Sequence, residues 1–565
     1  MIKFSFKYVA AVLILPIVVV GQNFISFAQS PELSIRDRLR IRIEDGGLPL
    51  RISVGREPIH AAIVLPIFYE RRVYQPAWTA IHGALPQADA LIKAIRKADR
   101  EGLRPGDYHL AQIEAILAEL LPTAGIVKTP DPRRLVDLDL LLTDAFLVLG
   151  SHLLAGRINP EKIHPQWFAN RREADLAQLL EDALNSNRIE ETLATLLPAY
   201  AGYHLLRDKL EFYRNLDKAG GWPTVPSGGK LQPGEYSDRI PLLRQRLAAE
   251  GLLVNTGVDD QAVFDSDLAQ GLKNFQAQNG LEADGILGPQ TLQALNISAE
   301  QRARQIAVNM ERWRWLPQDL GSPYILVNIA SFNLKVVDWQ TPVLNMRVVV
   351  GRTYRKTPVF SDKITYLVIN PYWGVPDSIA RQDLLPKIKK EPDFLRTQKI
   401  RVFAGWGANS KEIEPTAIDW DTVTAANLSY RFAQDPGPQN ALGRIKFMFP
   451  NQFNVYLHDT PSKELFGKAR RDFSSGCIRV EKPVELAEFL LRNQPDWPPE
   501  KIRAALVAGD FTPQTVKLTE PVNVHILYWT VWVGEDDRLQ FGIDIYNRDA
   551  ALEAALQESA PTSMK

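Results

Sequence analysis

Cysteine is almost absent: Cys477 is the only one in 565 residues. No disulfide can form within the chain, and a lone thiol in an oxidising compartment must be either buried or used. Charge of neither sign is in excess, with 66 Lys plus Arg against 66 Asp plus Glu. The long-range field that gathers nucleic acid or an anionic membrane is therefore not expected, and neither is a nucleic-acid partner. Histidine is sparse. Six of the eight, His60, His82, His109, His152, His164 and His204, lie in the N-terminal half without ligand spacing, and no His-Glu-x-x-His occurs. That pattern disfavours a metallo-peptidase and leaves no metal or cofactor expected. Beyond the N-terminus no stretch reads as approaching membrane length. What is present is a globular composition, 45% hydrophobic and 23% charged, at a length that implies two to four domains.

Lys3 and Lys7 precede an apolar run from Tyr8 to Gly21, followed by the small residues Ser26 and Ala28. This is the layout of a secretory signal over residues 1–28; the alternative is an uncleaved anchor that would tether the protein to the inner membrane. In either case an exported, periplasmic protein is expected. Residues 31–225 carry apolar positions at helical spacing, as in Leu135–Leu149 and Leu176–Leu197, and read as a helical scaffold. A breaker-rich linker, Gly220–Gly229, follows. Ser227 and Lys230 match an S-x-x-K pattern there, but two glycines in a Pro-rich linker provide no helix to align them.

Residues 236–297 read as three short helices. Phe275-Gln-Ala-Gln-Asn-Gly-Leu281 followed by Asp284-Gly-Ile-Leu-Gly-Pro-Gln-Thr291 resembles the peptidoglycan-binding domain. From about Ser322 the apolar period changes from 3.6 to 2, so residues 322–515 are expected to form a β-rich domain. A lid interrupts it at 376–443, helical from about Asp377 to Leu395, and Trp406, Trp420, Tyr430 and Phe432 argue that its polar remainder is structured. Residues 516–565 are expected to pack on this domain as an extension. The fold class is α+β multidomain: a helical scaffold, a three-helix module and a β-sandwich-like domain with a helical lid.

Alternation in Gln452–His458 predicts a strand with Phe453, Val455 and Leu457 in the core and Asn454, Tyr456 and His458 facing a cleft or solvent. Cys477 sits in Ser474-Ser475-Gly476-Cys477-Ile478-Arg479, a glycine-bearing turn ahead of a helix. The attacking form of cysteine is the thiolate, so a base or positive environment is required. His458 and His525 are the only histidines of the C-terminal half. His458, on the polar face at a strand end, is the expected base. The N–H groups around Gly476 and Cys477, with Ser475 on the same turn, are natural oxyanion donors. The competing reading is an inert core cysteine.

His458 followed nineteen positions later by Cys477 within this hexapeptide resembles the YkuD-type L,D-transpeptidase signature, with Ser475 where most of the family has a second histidine. Tyr372-Trp-Gly-Val-Pro376, Gly437–Gly443 and Phe449-Pro-Asn451 are similar to its large periplasmic, YcbB-like branch. The resemblance implies a Cys477 thioester made from a tetrapeptide stem, resolved by a diaminopimelate amine to a 3→3 cross-link, with His458 as base and acid. It also implies that the carbonyl of Asp459 orients His458, and that carbapenems acylate Cys477. Arg479 is either a clamp for a substrate carboxylate or a support of the turn. Tyr456 is a candidate substrate contact, and Ser474 a turn-stabilising hydroxyl. Two alternatives stand beside this: a carboxypeptidase using the same pair, and a non-catalytic wall-binding protein.

Overall fold

The computed structural model describes residues 31–558 except 122–128, 169–170, 254–261, 406–409, 508, 510 and 535; the expected signal and Trp406 lie outside the described residues. Asp131 caps the N–H of Arg133 and Pro132 occupies the first turn, so a helix starts there and runs Pro132–Ala155. This helix is long and apolar enough to cross a membrane, which corrects the reading that no later stretch is. It is instead the scaffold's core, with 89% of its apolar window buried; composition alone does not separate a wrapped helix from a span. Its two buried carboxylates organise the loops around it. Asp139 accepts from the N–H groups of Ala77 and Trp78 and the hydroxyls of Tyr69 and Thr79. Asp144 accepts from the N–H groups of His60 and Ala61 and lies 2.7 Å from His109 Nε2.

Burial pushes His152 and His458 down to about 3 and His164 to about 4, helped by neighbouring arginines. An unfolded chain protonates these groups near pH 6.5, whereas the folded one does so only near 3 to 4. Their contribution is thus complete above about pH 6.5 and is lost as the pH falls. His109 opposes them, since despite burial its bond to Asp144 raises it. Urea unfolding at pH 7 and pH 5 should show a lower stability at pH 5, at most about 1.4 kcal/mol per pH unit for each such group and reduced by the opposing His109. Equal stability at both would refute the buried neutral histidines.

The helices Ile240–Ala249, Ser266–Gln278 and Pro289–Leu295 enclose Leu243, Leu247, Leu268, Leu272 and Phe275 as a separate small core. A capping box of Ser298 and Gln301 then starts the helix Ala299–Arg314, which joins the parts. Glu311, fully buried, pairs with Arg314 at 2.8 Å and accepts the N–H of Ile158 in the scaffold. Asn309 and Arg312 reach Thr530, and Arg312 pairs with Asp549, in the C-terminal region. Gly156, at φ +80°, lies so close that a Cβ would stand 2.6 Å from Glu311 Oε1.

Among the described residues nine strands form the main sheet, and Thr341–Gly351 pairs both with Ile478–Val480 and with Asn333–Asp338. The sandwich-like expectation is thereby realised as one sheet that closes on itself. Gln514–Leu527 runs through it between Phe360–Ile369 and Tyr324–Asn328. The expected boundary at 515/516 therefore falls inside a central strand, because the apolar alternation continues through Val516, Leu518, Val522, Val524 and Ile526. The lid is helical at first, from Asp377 to Thr397, and its remainder pairs into an antiparallel sheet of Trp373–Gly374, Ile400–Ala404, Lys411–Ile413 and Tyr430–Gln434.

Candidate functional site

Leu457–His458 pairs in parallel with Ile478–Val480, with Leu457 opposite Ile478 and His458 opposite Arg479. Side chains opposite one another share a face and alternate along each strand. Leu457 and Ile478 therefore point into the core, both fully buried, while His458 and Arg479 share the other face with Tyr456 and Cys477 one step back. On the far side Ile445–Met448 adds Lys446 opposite His458. Four polar groups and one thiol thus converge on a single face.

The predicted strand at 452–458 is not continuous. Asn451 accepts the N–H groups of Phe453 and Val455, and Asn454 is left-handed at φ +53°; this turn breaks the alternation before Leu457. His458 does not face solvent either. It is 5% exposed, covered by Arg479, Lys446 and the segment at Leu442, and its Nδ1 lies 2.5 Å from the Asp459 carbonyl. A carbonyl only accepts, so Nδ1 carries the proton and Nε2 is the basic nitrogen, while the backbone at Leu442 also bonds the ring.

The thiol's own contacts are with Tyr456 and the Asn454 carbonyl, the latter 3.8 Å from Sγ. Among the described residues no hydrogen bond joins Sγ to His458. They stand on adjacent strands, diagonally two positions apart on one face and roughly 8 Å from Cα to Cα, a separation that side-chain movement can close in a substrate complex. Burial pushes the Cys477 thiol up; hydrogen bonds from the N–H and phenol of Tyr456, then the charges of Lys446 and Arg479, act against it.

Ser474 Oγ accepts the N–H of Gly476 at 3.1 Å and donates to the Cys477 carbonyl. Gly476, at φ +117°, therefore has its N–H already engaged, which corrects its assignment as an oxyanion donor; among the described residues the Cys477 N–H has no such partner. Thr357 holds the turn from below, its Oγ1 donating to the Gly476 carbonyl and accepting from Gly351 N–H. Among the described residues Arg479 makes no hydrogen bond to a turn carbonyl, and its buried Nε has no partner. The turn-support reading of Arg479 thus finds no contact. Its guanidinium instead lines a cavity of about 300 Å³ under the lid, with Trp373, Asp383, Phe394, Thr460 and Ser462. Among the described residues no cluster of His, Cys, Asp and Glu could hold a metal.

Two site residues escaped the sequence reading. Lys446 is half-buried, its Nζ 3.9 Å above the Tyr456 ring, and among the described residues no carboxylate pairs with it; burial lowers its pKa while Cys477 counters. Arg355 joins Ser475 Oγ at 2.8 Å and Gln382 at 2.6 Å and pairs with Asp383, linking the lid to the turn. Alternation could have placed Lys446 on the polar side of its strand, but nothing local marks Arg355. Replacing Lys446 by Met should slow iodoacetamide alkylation of Cys477 at pH 7 by roughly tenfold and move its pH profile upward, with Arg restoring most of the rate. An unmoved profile would exclude Lys446 as a support of the thiolate.

Comparison with known proteins places three domain families along the chain. Residues 64–210 match a scaffold domain, residues 236–295 a peptidoglycan binding domain and residues 322–517 the YkuD L,D-transpeptidase catalytic domain. A curated relative from Haemophilus influenzae named "Putative L,D-transpeptidase" is 33% identical over 280 residues, 49% of this chain and 55% of the relative. The match thus spans little more than half of that relative's length. Two solved structures, an L,D-transpeptidase from Xylanimonas cellulosilytica and a fused Zn-dependent amidase/peptidase/peptidoglycan-binding domain-containing protein from Clostridium acetobutylicum, align at 12% and 9% identity. They cover 53% of this chain each, and 98% and 100% of their own, with TM-scores of 0.15 and 0.14, too low to inform the fold. By these matches, the chain carries an L,D-transpeptidase catalytic domain of the YkuD family and, ahead of it, a peptidoglycan-binding domain.

Proposed function

We propose that the protein is an exported peptidoglycan L,D-transpeptidase that forms 3→3 cross-links through a thioester on Cys477. The observation that carries the reading is the single thiol sharing one face with Tyr456, His458, Arg479 and Lys446 at the edge of a lid-covered cavity. The Cys477 thiolate attacks the carbonyl of the third residue of a tetrapeptide donor. His458, neutral at pH 7 because its pKa is pushed down to about 3, takes the thiol proton and returns it to the departing D-alanine amine. The Asp459 carbonyl holds the tautomer this needs, the Cys477 N–H faces the developing oxyanion, and Arg479 binds a carboxylate of the donor. The diaminopimelate amine of a second stem then displaces the thiolate. Carbapenems are expected to acylate the same sulfur, and no cofactor takes part.

Incubating purified protein with tetrapeptide muropeptides and analysing the products by mass spectrometry tests this. Cross-linked dimers with one D-alanine released per bond are expected. Monomeric tripeptide alone would make the protein a carboxypeptidase instead, and no turnover would favour a wall-binding role.

A further inference from the structure

A second cavity, of about 940 Å³, opens on the other side of the lid. Ser378 and Gln382 face it, whereas Ile379 and Asp383 face the first. The lid segment from Asp377 to Leu384 is therefore a wall between two chambers that both reach the cysteine turn, one at Arg479 and the other at Ser475. Its volume is within the range of ligand sites.

Its charge is one-sided. His164 from the scaffold, Arg355 and Lys356 from the loop after Thr341–Gly351, and Arg548 from the C-terminal region line it, and no carboxylate does. Asp383 pairs with Arg355. Lys356 donates to the Tyr546 carbonyl at 3.0 Å, which leaves its charge unneutralised and two of its donors free. Arg548, 3% exposed, keeps Nη1 without a partner, and so does His164 its Nε2. Two cations, Lys356 and Arg548, in a lining that carries no carboxylate suit an anionic ligand.

We propose that this chamber receives the acceptor stem and grips the carboxylate that diaminopimelate carries on the same carbon as its attacking amine. The proposal rests on the transpeptidase reading, which requires a second peptide to reach a thioester whose first side is filled by the donor. The cations serve twice: they bind the carboxylate, and they disfavour the ammonium form, so that the amine presents its lone pair. The amine nitrogen attacks the thioester carbonyl, the C–N bond forms as the C–S bond breaks, and the sulfur leaves as thiolate. The surplus amine proton passes through His458 to restore the thiol.

The test gives the full-length protein a tetrapeptide donor and a diaminopimelate tripeptide acceptor, either natural or amidated at that side-chain carboxylate, and counts cross-links per D-alanine released. Amidation should raise the acceptor KM roughly tenfold. Thr353→Glu, at an exposed position on the chamber's rim, and Lys356→Gln should each lower cross-links per D-alanine several-fold with the natural acceptor and less with the amidated one. If either variant fails to fold by thermal melting, the other carries the comparison. Equal use of the two acceptors by the parent, or variants that treat them alike, would overturn the acceptor site while leaving the transpeptidase standing. A parent that releases no D-alanine, or releases it without cross-links, would instead remove the reading beneath it.

Discussion

Replacing Cys477 by alanine is expected to abolish both D-alanine release and dimer formation, a loss on the order of 10⁴-fold or more, while leaving the melting temperature nearly unchanged. The size of the effect follows from there being no second thiol and from the neighbouring hydroxyls being committed elsewhere. Ser474 Oγ bonds the Cys477 carbonyl and the Gly476 N–H, and Ser475 Oγ is held by Arg355. Serine at 477 should be almost as inactive, because a hydroxyl is far less acidic than a thiol and His458, a weak base here, is correspondingly less able to ionise it. Mass spectrometry after carbapenem exposure gives a direct readout: the parent gains one adduct and Cys477→Ala none. Should the alanine variant cross-link as well as its parent, the nucleophile lies elsewhere and the wall-binding alternative returns.

The second large effect concerns stability. Glu311 and Arg314 are 0% and 1% exposed in their side chains, and Arg314 also donates to the Tyr203 hydroxyl at 3.0 Å and to the Glu101 carbonyl. Removing the carboxylate with Glu311→Ala strands a guanidinium in the interior and orphans the Ile158 N–H. A cost of about 3–5 kcal/mol is expected, read as a loss of stability in urea. A change below about 1 kcal/mol would show that water or rearrangement relieves the stranded charge.

Much of this was legible in the residues, and the failures have definite causes. Cys477 stood out by isolation, and the glycine turn and the following helix by local chemistry, since each depends on neighbours a few positions away. The helix at Pro132 was marked by its period, yet its burial depended on helices far along the chain. Alternation failed between Gln452 and Tyr456 because one left-handed residue, Asn454, resets the period. Lys446 and Arg355 were invisible as site residues because strand pairing and lid contact, over separations of 12 to 120 residues, bring them to the turn. Gly476 kept its turn geometry but not the donor role, since a hydroxyl two residues earlier already occupies its N–H.

The helix Ala299–Arg314 has a mechanical consequence. Its Arg302 packs 3.9 Å over the Phe541 ring and bonds Asn279 of the three-helix module, while its far end is locked into both the scaffold and the C-terminal region by buried ions. A module fastened in this way cannot swing like a tethered hook. On the proposed reading it acts as a gauge: a glycan strand gripped there lies at a set span from the sulfur, and only a neighbouring stem at that span is within reach.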